Sequence, residues 1–279
     1  MKPPSNLNHL QRLLNQAARE QQIPVKRLMR WVGYMVLAGM LERAVSDEDH
    51  QPLFLAKGGV AMELHLHLMA RATADFDTAF RGSSARIEEH LDAALSVDFL
   101  GFSAKRSKAE HVRDTGMQRF QVKLSYLGKS FSTVQLEVAE AEASIGTQID
   151  MVQAKSLGMV NIVGPDSVAC LPVRWIIAQK LHACTEVLAE RDNDRFRDLL
   201  DLLLLEGLIG DAEWPAVRAA CVALFDGRGR HTWPPTVTMF PGWEFGYQTL
   251  ATDVGFEITS AYEAADGVRS LIARIDQST

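Results

Sequence analysis

Two carboxylates separated by one apolar residue, Asp75-Phe76-Asp77, are the part of this chain best suited to do chemistry. On a strand, that spacing puts Asp75 and Asp77 on one face, with Thr73 beside them and Phe76 turned into a core. Fixed carboxylates side by side repel each other, and a hard divalent cation bound through oxygen is the usual remedy. Upstream, the apolar run Leu53-Phe-Leu-Ala56 ends in Lys57-Gly58-Gly59 and opens into Val60-Ala-Met-Glu-Leu64. A glycine turn at a helix start offers unbonded backbone N–H groups and the positive end of a dipole, which suits a phosphate. Cation and phosphate together predict metal-dependent nucleotidyl transfer. Met62 to Leu68 also alternates at period two, and as a strand it would offer no phosphate cradle. The lack of β-branched residues after Val60 favours a helix.

These residues need a sheet and a helix to hold them. Residues 5–45 carry apolar positions at helical spacing, split into two helices by Pro24 with Gln22-Ile23 in the turn. Asp47 to Gln51 is a polar connection, and Ser84 to Leu95 reads as a helix. Phe120–Tyr126 and Val134–Val138 alternate as strands joined by a turn at Leu127-Gly-Lys-Ser130. The expected class is α+β: a mixed-sheet core at 47–145, N-terminal helices at 1–46, and a mostly helical domain at 146–279. In that last part, Ile149 to Gly164 reads as a connection and Pro172 to Glu190 as a helix. A turn at Arg191 to Asp194 leads into a leucine-rich helix from Arg195 to Leu205. Further helices are expected at Trp214–Phe225 and Phe256–Ile275, with a loop from Gly227 to Pro241.

The composition bounds the remaining options. The 279 residues are 47% hydrophobic and 23% charged, ordinary for a globular protein. No run approaches the ~18–20 apolar residues of a membrane span, and the start lacks the apolar core of a signal peptide. Cys170, Cys184 and Cys221 are far apart and show no ligand spacing, so a reducing, cytoplasmic setting is expected rather than disulfides or zinc. A net charge of −6 argues against broad nucleic-acid binding but allows a local groove. Two basic clusters (Lys105, Arg106, Lys108, His111, Arg113; and Arg228, Arg230, His231) read first as solvated faces. Trp233, Trp243 and Tyr247 read as packing rather than base stacking. His65-x-His67 has ligand spacing only on a strand, and no activating base accompanies Ser83, Ser84 or Cys184.

Four motifs in order resemble the nucleotidyltransferase family of the AbiEii toxins of bacterial type IV toxin–antitoxin systems, a branch of the DNA polymerase beta-like superfamily. They are Lys57-Gly-Gly-Val-Ala-Met62, Arg71-Ala-Thr-Ala-Asp-Phe-Asp77, Gln179-Lys-Leu-His-Ala183 and Arg195-Phe-Arg-Asp-Leu-Leu-Asp201, and the likeness covers roughly residues 10 to 205. The resemblance implies that Asp75 and Asp77 hold Mg²⁺ or Mn²⁺, with Glu137 as a third acidic ligand on a neighbouring strand. It implies nucleotide contact by Lys57, Gly58, Gly59, Arg71 and Thr73. Catalytic roles are implied for Asp75, Asp77, Lys180, Asp198 and Asp201, with Lys180 on phosphate. Val60 stands where the family has Ser or Thr, and Glu63 where a basic residue is common.

By spacing alone, Lys180 facing Asp198 and Asp201 is a structural ion pair across a helical hairpin, in which case removing the lysine destabilises the fold. By resemblance it meets phosphate, and removing it leaves a stable protein. The resemblance further implies a toxin moving NMP from an NTP to RNA, perhaps tRNA, or to a protein, with a cognate antitoxin and no membrane role. The rival readings are a small-molecule, antibiotic-type nucleotidyltransferase and a non-catalytic nucleotide-binding module.

Overall fold

The computed structural model describes residues 2–66, 71–112, 116–142, 145, 148–189 and 192–278. His67, Arg113, Gly146 and Arg191 lie outside them. The chain forms two compact units, one of residues 1–67, 72–141 and 147–171, the other of residues 68–71, 142–146 and 172–279.

The first unit is a mixed sheet with helices. Helices α1 (Leu7–Gln21) and α2 (Val25–Leu41) flank Pro24, as the helical spacing predicts. Asn6 caps α1 by accepting the His9 N–H at 2.9 Å. Strand β1 (Phe54–Ala56) leads into α3 (Gly58–Leu66), so the segment after the glycines is helical through Leu66. Then follow β2 (Asp75–Phe80), α4 (Ile87–Leu95), β3 (Phe102–Arg106), β4 (Glu110–His111), β5 (Gln118–Tyr126), β6 (Lys129–Glu140), β7 (Asp150–Gln153) and β8 (Ser167–Cys170). The sheet order is β3-β5-β6-β2-β1-β8-β7, with β4 on β5. β2 runs parallel to β6 and antiparallel to β1, while β1 and β8 are parallel.

Four of these strands escape sequence patterning. Ile149 to Gly164, expected as a connection, contains β7, and β8 follows in residues to which no element was assigned. β7 has no buried residue, and β8 buries Val168, Ala169 and Cys170 in a row, so neither shows an alternation of apolar and polar residues. β3 and β4 occupy the basic stretch for a similar reason, because Phe102 is their one fully buried residue.

The second unit is helical: α5 (Val173–Thr185), α6 (Phe196–Glu206), α7 (Trp214–Arg228), α8 (Trp243–Val254) and α9 (Ala261–Gln277). α5 stops at Thr185, short of the expected Glu190. The Asn193 amide donates to the carbonyls of Ala183 and Glu186, both at 2.8 Å, and closes the helix end. α8 was unforeseen, and α9 starts at Ala261 rather than Phe256. Trp243 and Tyr247 are buried on α8, which settles them as packing residues. Among the described residues no helix is long and apolar enough to cross a membrane.

The β5–β6 hairpin is tighter than expected, since Lys129 and Ser130 already pair with Tyr126 and Ser125. Only Leu127 and Gly128 turn, with φ of 45° and 77°. Two positive φ values define a primed two-residue turn, for which Asn-Gly is the preferred pair. Leu127 is 54% exposed and adopts a left-handed conformation that bulky side chains avoid. Leu127→Asn is therefore expected to stabilise the protein by about 0.5 kcal/mol, comparable to other compatible turn substitutions, measured by chemical denaturation.

Candidate active site

In the first unit the site is built on the parallel pairing of β2 with β6, where Asp75 lies opposite Gln135 and Asp77 opposite Glu137. β5 continues both rows, with Gln121 beside Gln135 and Arg119 beside Glu137. Side chains at i and i+2 share a face, so six polar residues form two cross-strand rows on one side of the sheet. Phe76 points to the other side, 1% exposed, edge-on to Tyr34 at 5.5 Å.

The rows are hydrogen-bonded. Gln135 Nε2 donates to Asp75 Oδ1 at 2.7 Å and to Glu137 Oε1 at 3.1 Å. Gln121 Nε2 donates to Gln135 Oε1 at 3.2 Å, and Arg119 Nε donates to Glu137 Oε1 at 2.8 Å. Burial and the neighbouring Glu137 charge raise the Asp75 pKa, only partly offset by Arg119 and Arg30. Asp75 is thus an aspartate whose charged form wants a cation. Gln135 and Arg119 were missed in the sequence, although their alternation with Glu137 along the hairpin carried the signal.

Gly58 and Gly59 press α3 onto these residues. Gly58 has φ +56°, and a Cβ there would sit 2.2 Å from Asp77 Oδ2. A Cβ on Gly59 would sit 2.4 Å from Thr73 Cβ. The Lys57 N–H donates to the Asp77 carbonyl at 2.9 Å, which locks the entrance to the helix. The glycines therefore bring the positive end of α3 against an anionic side chain, and the first-turn N–H groups carry no intrahelical acceptor. Thr73 is 6% exposed, and its hydroxyl donates to the Asp75 carbonyl at 3.2 Å. Val60 is buried, which accounts for an apolar residue at that place.

The second unit holds the other motif residues. Lys180 Nζ reaches Asp198 Oδ1 at 2.9 Å and Asp201 Oδ2 at 2.6 Å, all three buried. Arg71 pairs Asp201 through Nε at 3.2 Å and Nη2 at 3.1 Å, and Arg195 Nε takes Asp198 Oδ2 at 2.7 Å. The direct contacts are those of the ion pair across the helical hairpin, with α5 ending at Thr185 and α6 starting at Phe196. The two carboxylates outweigh burial and raise the Lys180 pKa. The Lys180 and Arg195 charges lower that of Asp198 against its own desolvation.

The remaining candidates separate from both clusters. Arg106 is spent on Asp92 at 2.6 Å and Glu88 at 2.8 Å. Arg228 pairs Glu142 at 2.7 Å, and Arg230 pairs Glu186 at 3.2 Å. His65 sits on α3, and burial lowers its pKa. Among the described residues, no three His, Cys, Asp or Glu side chains gather into a metal cage.

The fold is that of a nucleotidyltransferase. Among solved structures it is similar to MenT4, a nucleotidyltransferase toxin from Mycobacterium tuberculosis H37Rv, with a TM-score of 0.63 at 16% identity over 96% of this chain and 90% of that one. A family model described as nucleotidyl transferase AbiEii toxin, type IV TA system, matches residues 40–265, and the chain belongs to that family. Weaker likenesses, each with a TM-score of 0.40, are to an antigenic nucleotidyltransferase-like protein from Paracoccidioides brasiliensis and to the antibiotic-resistance factor ANT(2'')-Ia. The first is 18% identical over 71% of this chain and 88% of that one; the second is 16% identical over 72% and 92%. No curated protein matches the chain.

The geometry around Lys180 is that of a buried ion-pair network, and it sets an expectation for stability. Asp201→Leu takes the carboxylate from Arg71 and leaves Lys180 with Asp198 alone, and Lys180→Met leaves two buried carboxylates short of a cation. Each single change is expected to cost about 3–5 kcal/mol. The double change should cost less than the sum of the two, because the partners are coupled. Urea denaturation of the four proteins measures this directly.

Proposed function

We propose that the chain transfers a nucleoside monophosphate from an NTP to an acceptor, with Asp75 and Asp77 holding Mg²⁺ or Mn²⁺. The observation that carries this reading is Asp77 in register with Glu137, with Asp75 two residues along on the same sheet face, beside the glycine start of α3. The donor set fits a hard cation, since it is all oxygen and Asp75 is a carboxylate short of positive charge. Two protein carboxylates with substrate phosphates and water supplying the rest is the usual pattern for Mg²⁺. Glu137, shared between Arg119 and Gln135, would flank the ion as the third acidic group. When bound, the cation would draw charge off the transferring phosphoryl group and favour the attacking hydroxyl.

The chain's own groups supply the rest of the reading. Lys57 and the first-turn N–H groups at Gly58 and Gly59 would bind triphosphate oxygens. Thr73 would hold the turn that presents the aspartates. In the helical unit, Lys180, Arg71 and Arg195 face Asp198 and Asp201, three cations against two anions. That excess positive charge supports a phosphate role for Lys180 and Arg71, with Asp198 or Asp201 orienting the acceptor or nucleotide. Membership of the family supports a toxin with a cognate antitoxin as partner. For the acceptor we propose RNA, tRNA among the candidates, or a protein.

Incubating the purified chain with labelled NTPs and either total RNA or a lysate protein fraction tests the reading. Asp75→Ala and Asp77→Ala are expected to lower transfer at least about 100-fold while keeping the fold, because each change relieves a repulsive pair. EDTA should abolish transfer in the wild type. Full activity in both variants would remove these residues from the chemistry.

The raised Asp75 pKa gives a pH dependence with a definite sign. A carboxyl that holds its proton above the ordinary aspartate value of 3.8 competes with the cation at higher pH than a normal one. The Mg²⁺ concentration for half-maximal activity should therefore rise as pH falls toward that range. Titrations of Mg²⁺ at stepped pH values check it; an invariant midpoint would count against Asp75 as a ligand.

A further inference from the structure

Glu63 is an acid at a place where the resemblance implies a base, and the nucleotide reading gives it no task. The structure turns it inward. Glu63 is 7% exposed on α3, and its Oε1 accepts the Thr73 N–H at 3.0 Å. On the far side of the same residue, the Thr73 carbonyl accepts from Arg30 Nη1 at 2.7 Å and from the Tyr34 hydroxyl at 3.2 Å. Arg30 and Tyr34 are four apart on α2 and so lie on one helix face. Gly59 closes on the Thr73 side chain, and the Thr73 hydroxyl is tied to the Asp75 carbonyl. The backbone polar groups of one residue are thus gripped by side chains from two helices, two residues before the first site carboxylate.

We infer that Glu63, with Arg30 and Tyr34, is a positioning residue that sets the direction of Asp75 by holding the Thr73 backbone between α2 and α3. This rests on the proposed role of Asp75 as a cation ligand. A carboxylate in a low-dielectric pocket is costly to keep unless it is hydrogen-bonded. Burial that pushes the Tyr34 phenol pKa upward marks the same environment. The grip removes the freedom that a strand end otherwise has. Small displacements of a reacting group, on the order of 1 Å, can cost about 100-fold in rate.

The test compares Glu63→Leu, Glu63→Gln and Tyr34→Phe with the wild type, using calorimetric titration of Mn²⁺ and steady-state transfer kinetics. Glu63→Leu should weaken Mn²⁺ binding about tenfold and lower kcat roughly 10- to 100-fold, while KM for the NTP stays within about twofold. Glu63→Gln should recover most of both, because its amide oxygen still accepts the Thr73 N–H. A folded Glu63→Leu protein with wild-type Mn²⁺ binding and kcat overturns the inference. So does a Glu63→Gln protein as impaired as Glu63→Leu, since charge rather than the grip would then matter.

If Glu63→Leu does not fold, Tyr34→Phe decides, because it keeps the ring and removes one bond to Thr73. A severalfold loss in Mn²⁺ affinity and kcat supports the grip, and no change in either overturns it. Asp75→Ala separates the two levels. If it leaves Mn²⁺ binding and transfer intact, the proposed function fails. If it abolishes them while the Glu63 variants stay normal, only the positioning role fails.

Discussion

Everything in the sheet unit turns on how closely the first turn of α3 approaches β2. Two missing Cβ atoms permit it, since a methyl group on Gly58 or Gly59 would overlap Asp77 or Thr73. The approach places the positive end of a nine-residue helix beside a carboxylate that is also in register with Glu137. A larger gap would take the positive end of the helix away from these carboxylates. The two glycines thus serve packing and electrostatics at once, and neither purpose can be met with another residue type.

The helical unit solves a different problem. Its α5–α6 hairpin buries Lys180, Asp198 and Asp201 together. Arg71 and Arg195 complete the satisfaction of the two carboxylates. Such a network contributes little net stability compared with an apolar core, but it penalises any arrangement in which one member loses its partner. It therefore fixes the register of the hairpin, with Asn193 holding the end of α5.

Legibility in the sequence followed physical signal strength. Strong periodicity made α1, α2, α4 and the β5–β6 hairpin readable, and the Asp-apolar-Asp spacing placed Asp75 and Asp77 on one face with Phe76 buried opposite. The short strands β7 and β8 were unreadable because β7 buries no residue and β8 buries three in a row, so neither carries an apolar–polar alternation. The hairpin extended beyond expectation because Leu127 takes a left-handed conformation that its residue type does not advertise. Around the site, Gln135 lay on an expected strand without a role, and Arg119 lay just before the expected start of its strand at Phe120. Glu63 turns inward to the Thr73 N–H, and Arg30 and Tyr34, more than thirty positions from Thr73 along the chain, hold its carbonyl, so no local pattern carries that information.

The parallel pairing of β2 with β6 divides the tolerance of this gene to changes in length. In the excursion between β2 and β5 the linking loops can change length without touching the β2–β6 register, whereas α4, which buries Ile87 and Leu91, and β3, which pairs with β5, are held. Inside β6 the arithmetic is one of parity. Loss of a single codon between Lys129 and Gln135 would turn Gln135 and Glu137 through the sheet and bring their apolar neighbours to the working face. Loss of two would restore the facing while shifting the partners by one rung. Length variation among relatives should accordingly collect in the loops of that excursion and be nearly absent from this strand.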